Sequence, residues 1–306
     1  MSMRIIFLGT SASVPTIRRS LPAVAIKREG DLLLFDCGEG TQRQMIKVRV
    51  GLNKETKIFI THMHGDHVLG LPGILQTMSM FGRTKPLYVF GPKGVLDFIE
   101  AILKTVHFSL CFKIFVEEVE EGTICEEKEY IVKAAWAEHT VPTLAYALIE
   151  KPRPGRFNTE KAVSLGVPKG PLWSRLQRGQ PVVLDDGRIV MPKDVLGPPR
   201  PGRKIVYISD SRPCEELVKF AEDADILIHE ATFSDELRSR AVDDMHSTAS
   251  EAAMLASRAK VKRLILTHIS ARYNDPTVLL EEAKKIFPEV ELAEDLMIIN
   301  VPYRQE

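Results

Sequence analysis

Cysteine is scarce in this chain: four residues in 306, at positions 37, 111, 125 and 214, with no CxxC pair among them. That is too sparse for a disulfide framework, and each thiol reads as a small buried packing group in a reduced compartment. Long apolar runs are missing too, since none approaches the ~20 residues that span a bilayer. The opening MSMRIIFLGTSASVPT enters a strand-like run without a signal-peptide pattern. Together these absences set the expectation of a cytoplasmic protein with no membrane partner. Net charge is also absent, because forty-one Lys and Arg balance forty-one Asp and Glu. With 44% hydrophobic and 27% charged residues, the chain has ordinary globular chemistry and enough length for a sizeable core.

The neutrality hides an asymmetry. Between Lys151 and Lys204 there are twelve basic and four acidic side chains, an excess of eight that the remainder of the chain cancels. The same stretch holds nine prolines and seven glycines, as in KPRPGRF and GPPRPGRK. It reads as poor core material, an insertion or arm over 151–203, and its charge suits an anionic partner.

On either side of that break, short apolar runs alternate with helical patterns. RIIFLG, PAVAIK, DLLLFD, KIFIT and LYVFG read as strands, with further candidates at 112–119 and 129–137. KIVYIS, DILIHE and RLILTH repeat the pattern after the break, and TASEAAMLASRA and DPTVLLEEAKKIF have helical spacing. Strands precede helices in both halves, so a layered α/β protein with helices outside its sheets is expected.

What the chain has in concentration is histidine. Three of its eight histidines and an aspartate fall within THMHGDH, at His62, His64, Asp66 and His67. In an extended stretch residues 62 and 64 point the same way, and a bend at Gly65 lets Asp66 and His67 project into the same space. Imidazole and carboxylate together suit zinc and related ions. Unliganded, clustered histidines gain nothing from one another and repel when protonated. His139, Asp210 and His268 each end a strand-like run, where α/β sheets tend to build sites. With the cluster they supply enough ligands for two ions, Asp210 being the natural bridge, although a strand-ending His or Asp can also simply cap a turn. Cys37 and Cys214 are not needed for that set.

THMHGDH matches the HxHxDH signature of the metallo-β-lactamase superfamily, and the chain resembles its ribonuclease Z family over nearly its whole length. FLGTSASVPT, LLLFDCGEGTQRQ, THMHGDHVLGLPG, AEHTVPTLAY, YISDS, HEATF, MHSTASEAA and LTHISARY carry the resemblance. It implies one metallo-β-lactamase domain over 1–306, a four-layered αββα sandwich, with a protruding Gly/Pro-rich basic arm at 151–203. It implies two Zn2+ per subunit, Mn2+ or Fe2+ being compatible with the same donors. One ion would be held by His62, His64, His139 and Asp210, the second by Asp66, His67, His268 and Asp210. The implied reaction is endonucleolytic removal of the 3′ trailer of precursor tRNA, leaving a 3′-hydroxyl on the tRNA and a 5′-phosphate on the trailer. Asp66 would ligate and position the attacking water. His246 would protonate the leaving oxygen, with Glu230 fixing its tautomer. Asp36 is a candidate to orient a ligand histidine.

The same resemblance reads Gly170, Pro171, Leu176 and Gly179 as the pattern of a flexible tRNA-gripping exosite. Lys169, Arg175 and Arg178 decorate it, and Arg153 and Arg156 stand at its base as RNA-binding candidates. Such contacts recognise phosphates and folded shape rather than sequence. Where the family's N-terminal loop reads PxKxRN, this chain has PTIRRS: Arg19 is in place, but Ile17 replaces Lys and Ser20 replaces Asn. A homodimer is also implied. The rival readings are a small-molecule phosphodiesterase or arylsulfatase-like hydrolase on the same fold, and a non-catalytic RNA-binding protein.

Overall fold

The computed structural model describes residues 2–304. The chain divides into two compact units, one running to Ile149 and resuming over Arg203–Pro302, the other formed by Glu150–Gly202 with Tyr303 and Arg304.

The first unit is built on strands that come in two sets. The N-terminal set is β1 (Met3–Gly9), β2 (Ser11–Ala12), β3 (Ala23–Arg28), β4 (Asp31–Phe35), β5 (Glu55–Phe59), β6 (Leu87–Gly91) and β7 (Ile114–Glu118). Next come β8 (Gly122–Glu126), β9 (Tyr130–Ala137) and β10 (Thr143–Glu150), while β11 (Val182–Val183) and β12 (Ile189–Val190) form a small hairpin in the second unit. The chain closes with β13 (Lys204–Ile208), β14 (Ile226–Glu230), β15 (Leu264–Thr267), β16 (Ile269–Ser270), β17 (Val290–Leu292) and β18 (Ile298–Asn300). Two seven-stranded sheets result, ordered β18-β1-β3-β4-β5-β6-β7 and β17-β15-β14-β13-β10-β9-β8.

Residue alternation explains why so many of these strands are apolar throughout. In β4, Leu33 and Phe35 enter the core between the sheets, while Leu32 and Leu34 face the helices. The outer face of the first sheet is covered by α1 (Thr41–Lys47), α2 (Gly65–Val68), α3 (Leu71–Met80) and α4 (Val95–Thr105). α3 buries Leu71, Ile74, Leu75 and Met78, the i, i+3, i+4, i+7 stripe of an amphipathic helix.

The second unit carries α5 (Thr159–Ser164), α6 (Pro171–Gln177) and α7 (Pro192–Val195). Back in the first unit, α8 (Glu215–Ala221), α9 (Arg238–Asp243), α10 (Ala249–Arg258) and α11 (Thr277–Lys284) follow, and α8, α10 and α11 cover the second sheet. α10 is stopped at its N-terminus by a capping box: Thr248 accepts from the Glu251 amide and Glu251 accepts from the Thr248 amide. The first unit is therefore the four-layered αββα sandwich of the metallo-β-lactamase fold.

The stretch 151–203 corrects one expectation. Its composition is that of poor core material, yet Ala162, Val167, Leu176, Val182, Leu184, Val190 and Val195 bury one another in a cluster of their own. Its apolar residues are spread thinly among Pro, Gly and charge, so no local run reveals them.

One close approach fixes the turn that follows the histidine cluster. The Gly70 amide donates to the Cys37 carbonyl at 2.8 Å, and a Cβ on Gly70 would stand 2.0 Å from the Gly38 carbonyl oxygen. Gly70→Ala is therefore expected to destabilise the protein by roughly 2–3 kcal/mol, the upper range for overpacking against backbone. Urea unfolding checks this, and a variant as stable as the parent would contradict the contact.

Candidate metal centre

The candidate ligands leave the ends of strands and meet in one pocket of the first unit. His62 lies just beyond β5, His64 caps α2, and α2 itself carries Asp66 and His67. His139 follows β9, Asp210 follows β13 and His268 follows β15. Their donor atoms group as His62, His64, His139 and Asp210; as Asp66, His67 and His268; and as Asp210, His246 and His268, each set within 4.8 Å. Asp210 stands between the first two: its Oδ2 is 3.7 Å from His62 and 3.8 Å from His139, and its Oδ1 is 3.3 Å from His67 and 3.1 Å from His268. All seven sequence candidates converge.

The hydrogen bonds behind these rings decide which nitrogen faces inward. Asp36 and the Met245 carbonyl can only accept, so His67 and His139 must each donate from Nδ1, at 2.8 and 2.9 Å. Thr61 gives its hydroxyl proton to Asp36 and Thr232 gives its own to Glu230, so His62 and His268 donate Nδ1–H to those hydroxyl oxygens, at 3.0 and 2.9 Å. In the neutral form of each ring Nε2 carries a lone pair pointing into the pocket; burial pulls the His67 imidazole down, but the Asp210 and Asp36 carboxylates outweigh it and hold it well above its ordinary value. His67 Nε2 and His268 Nε2 are buried without a hydrogen-bond partner. His62 Nε2 and His139 Nε2 both face His64 Nδ1, at 3.0 and 3.4 Å. Three imidazole nitrogens turned on one another, and two more orphaned in the interior, are what a divalent cation satisfies and a packed core does not.

Asp36 holds much of this in place. It sits at φ +57, in the left-handed region, and accepts from Thr61 N, Thr61 Oγ1, His67 Nδ1 and Tyr207 Oη at 2.8–3.0 Å. His268 is also left-handed, at φ +55. Non-glycine residues hold such angles where surrounding bonds over-determine them.

Charge is arranged to suit a cation. Burial pushes the Asp210 and Asp66 carboxyls up, but the neighbouring His268 and His67 outweigh it and hold both well below the usual carboxylate range. Burial pulls His62 well below the ordinary imidazole value and lowers His139 as well. Cys37 is fully buried, burial pushes its thiol up to about 12, and it joins none of the donor groups among the described residues.

His246 stands beside the ligands, its ring 5.1 Å from that of His139 and 5.5 Å from that of His268. Its Nδ1 meets Glu230 Oε1 at 2.9 Å. Burial lowers the imidazole, yet the Glu230 carboxylate outweighs that and raises it to about 9. Glu230 is itself buried and held by the Ser211 amide and the Thr232 hydroxyl. Sequence reading missed Thr232, which bonds Glu230 and His268 together, and it missed the Ser13 amide, which donates to Asp66 Oδ2 at 2.9 Å. Thr232 lies inside HEATF, so motif position was its only signal.

The RNA-binding candidates are not gathered in the same way. In the second unit Arg156, Lys169, Gly170, Pro171, Arg175 and Arg178 are exposed, whereas Arg153 is half-buried with its guanidinium 3.3 Å from the Tyr303 ring centroid. Leu176 of the GP…L…G pattern is core, not surface. Arg19 belongs to the first unit and donates to Thr10 Oγ1 and the Ala293 carbonyl, so part of its guanidinium is engaged within the protein.

Known proteins are similar to this chain. The family described as "Beta-lactamase superfamily domain" matches residues 195–269, and that described as "Anti-Pycsar protein Apyc1" matches residues 3–107. Ribonuclease Z of Methanosarcina acetivorans is 51% identical over 99% of this chain and 100% of its own length. Ribonuclease Z of Methanosarcina mazei is 49% identical over the same shares. The chain belongs to the ribonuclease Z family. Among solved structures, the short form of human tRNase Z is similar, with a TM-score of 0.73 and 31% identity over 98% of this chain and 99% of that one. As a ribonuclease Z family member the protein is a metal-dependent endoribonuclease of metallo-β-lactamase fold, and its His/Asp pocket fits a divalent metal site. Among the described residues no helix is long and apolar enough to cross a membrane.

Asp36→Ala leaves His67 Nδ1 without its acceptor. Metal affinity is expected to fall roughly 10–100-fold, the usual effect of removing a ligand's supporting carboxylate. Competition with a chromophoric chelator measures it, and parent-like affinity would remove Asp36 from that role.

Proposed function

We propose that the protein removes the 3′ trailer of precursor tRNA, using two Zn2+ per subunit and leaving a 3′-hydroxyl on the tRNA and a 5′-phosphate on the trailer. His62, His64, His139 and Asp210 hold one ion; Asp66, His67, His268 and Asp210 hold the other. The observation that carries this reading is the set of five inward imidazole nitrogens, four of them fixed by outward Nδ1 contacts at His62, His67, His139 and His268, flanked by the Asp66 and Asp210 carboxylates. Neutral imidazole nitrogen with carboxylate oxygen is a donor set that zinc accepts. When bound, the cations lower the pKa of the attacking water and offset charge on the phosphodiester.

The chain's own residues supply the rest. Asp66, ionised and steadied by the Ser13 amide, orients the water toward phosphorus. His246 holds a proton on the ring edge away from Glu230, and delivers it to the 3′-oxygen as the ester bond breaks. Glu230 fixes the tautomer and keeps the imidazole charged.

Residues 151–203 serve in this reading as the inserted arm that grips tRNA. The exposed Lys169, Arg175 and Arg178 around Gly170 and Pro171, with Arg156 and Arg153 at the base, contact phosphates and contribute affinity. Arg19 lies on the N-terminal loop, toward the RNA 3′ end. A homodimer belongs to the same reading. Four free cysteines and a tRNA substrate fit a cytoplasmic setting.

The test is incubation of purified protein with a 3′-extended precursor tRNA, with and without chelator, and mapping of both product ends. Cleavage that stops with chelator and resumes with Zn2+ is expected; uncut precursor alongside brisk turnover of a small aryl phosphodiester would favour the small-molecule hydrolase. Deleting residues 155–200 is expected to abolish cleavage of precursor tRNA and spare the small ester. His246→Ala is expected to lower turnover of precursor tRNA about 10²–10³-fold with metal content intact; near-normal turnover would remove it from the mechanism.

A further inference from the structure

The imidazole of His246 is held by Glu230, but something must also hold the peptide that carries it. Its turn is the left-handed stop of α9, with Met245 at φ +58 and the His246 and Met245 amides donating back to the Ala241 and Val242 carbonyls, which closes the helix end but leaves the His246 carbonyl to be held from elsewhere. The Met245 carbonyl accepts from the ligand His139, so this short turn serves both the acid and the metal pocket.

The group that holds the His246 carbonyl is Arg212. Its Nη1 donates to the His246 carbonyl and to Glu251 Oε2, and its Nη2 donates to Glu251 Oε1 at 2.6 Å. The pair is 16% and 5% exposed, so it is neither a screened surface contact nor a mobile one. Glu251 in turn accepts from the Thr248 amide in the capping box of α10, so the helix already has its cap without the arginine. What Arg212 adds is the bond to the residue whose ring would deliver the proton. Its own backbone amide donates to the Glu138 carbonyl at 2.8 Å, next to His139, and the neighbouring Ser211 amide donates to Glu230. Nothing in the spacing of residues 212, 246 and 251 announces this.

We propose that Arg212, clamped by Glu251, is the positioning residue for His246: its guanidinium fork fixes the peptide that aims the imidazole at the leaving oxygen, touching neither substrate nor cation. The inference rests on His246 acting as the acid. A lysine cannot replace the fork, because one ammonium cannot satisfy both carboxylate oxygens and the carbonyl in the same plane.

The experiment compares two substrates: a 3′-extended precursor tRNA, whose leaving oxygen needs a proton, and bis(p-nitrophenyl) phosphate, whose nitrophenolate departs without one. The variants are Arg212→Lys, which keeps Glu251 paired, and Arg212→Met with Glu251→Gln, which leaves no buried charge alone and retains the cap. Each is expected to lower kcat on precursor tRNA about 10–100-fold, leave KM within about twofold and leave aryl-ester turnover within about twofold. Metal per chain, measured by mass spectrometry, is expected to match the parent. Equal losses on both substrates, or lost metal, would show that Arg212 supports the pocket as a whole and overturn the proposal. His246→Ala run in parallel separates the two claims. If it slows both substrates alike, the acid reading fails and the positioning role falls with it. If it slows only precursor tRNA while the Arg212 variants match the parent, the positioning role alone is wrong.

Discussion

The pocket depends on where five protons sit. The Nδ1 hydrogens of His62, His67, His139 and His268 and the Nδ1 contact of His246 are each directed outward, to a hydroxyl, a carboxylate or a backbone carbonyl. For those four candidate ligand rings that leaves Nε2 as the inward atom, while His64 turns Nδ1 inward. Two of these acceptors have no proton to give in return: the Asp36 oxygens already accept from Thr61 and Tyr207, and the Met245 carbonyl carries none. Ring orientation is therefore fixed before any ion arrives, and an ion meets a finished set of lone pairs rather than one it must assemble.

The sheets make that constraint affordable in chain length. Parallel pairing of β13, β14 and β15 brings the C-terminal ends of three successive strands side by side, so Asp210, Glu230 and His268 emerge together although 58 residues separate the first from the last. The matching parallel run of β4, β5 and β6 delivers Asp36 and the histidine turn. Tyr207 of β13 reaches Asp36 at the end of β4, so a hydrogen bond crosses between the sheets beneath the site.

Much of this was readable in advance, for a physical reason. Strands buried on both faces are apolar without interruption, so β1, β4, β5, β13, β14 and β15 stood out, and every candidate ligand except His139, which follows the half-exposed β9, lay just past one of them. HxHxDH is local, so four ligands came from one stretch. β10 went unread because TLAYALIE follows Pro142 within a motif and has no helical or turn signal of its own. β17 and β18 are three residues long and are strands only because β15 and β1 pair with them. Arg212, Thr232 and Glu251 were invisible for a deeper reason: their work is done by contacts between segments that only the fold brings together. Arg153 and Arg19 show the converse, since a basic residue in a basic stretch can spend its charge on an internal ring or carbonyl.

The cluster around Leu176, Val182 and Val195 sets a different kind of boundary. Because residues 150–202 bury side chains among themselves, their backbone amides are shielded by a small, separate core, while those of β4 or β14 lie within the large one. Opening one does not require opening the other. Amide exchange in this protein would then separate into a faster class and a slower class, with the changeover near Glu150 and Arg203 rather than at any midpoint of the chain.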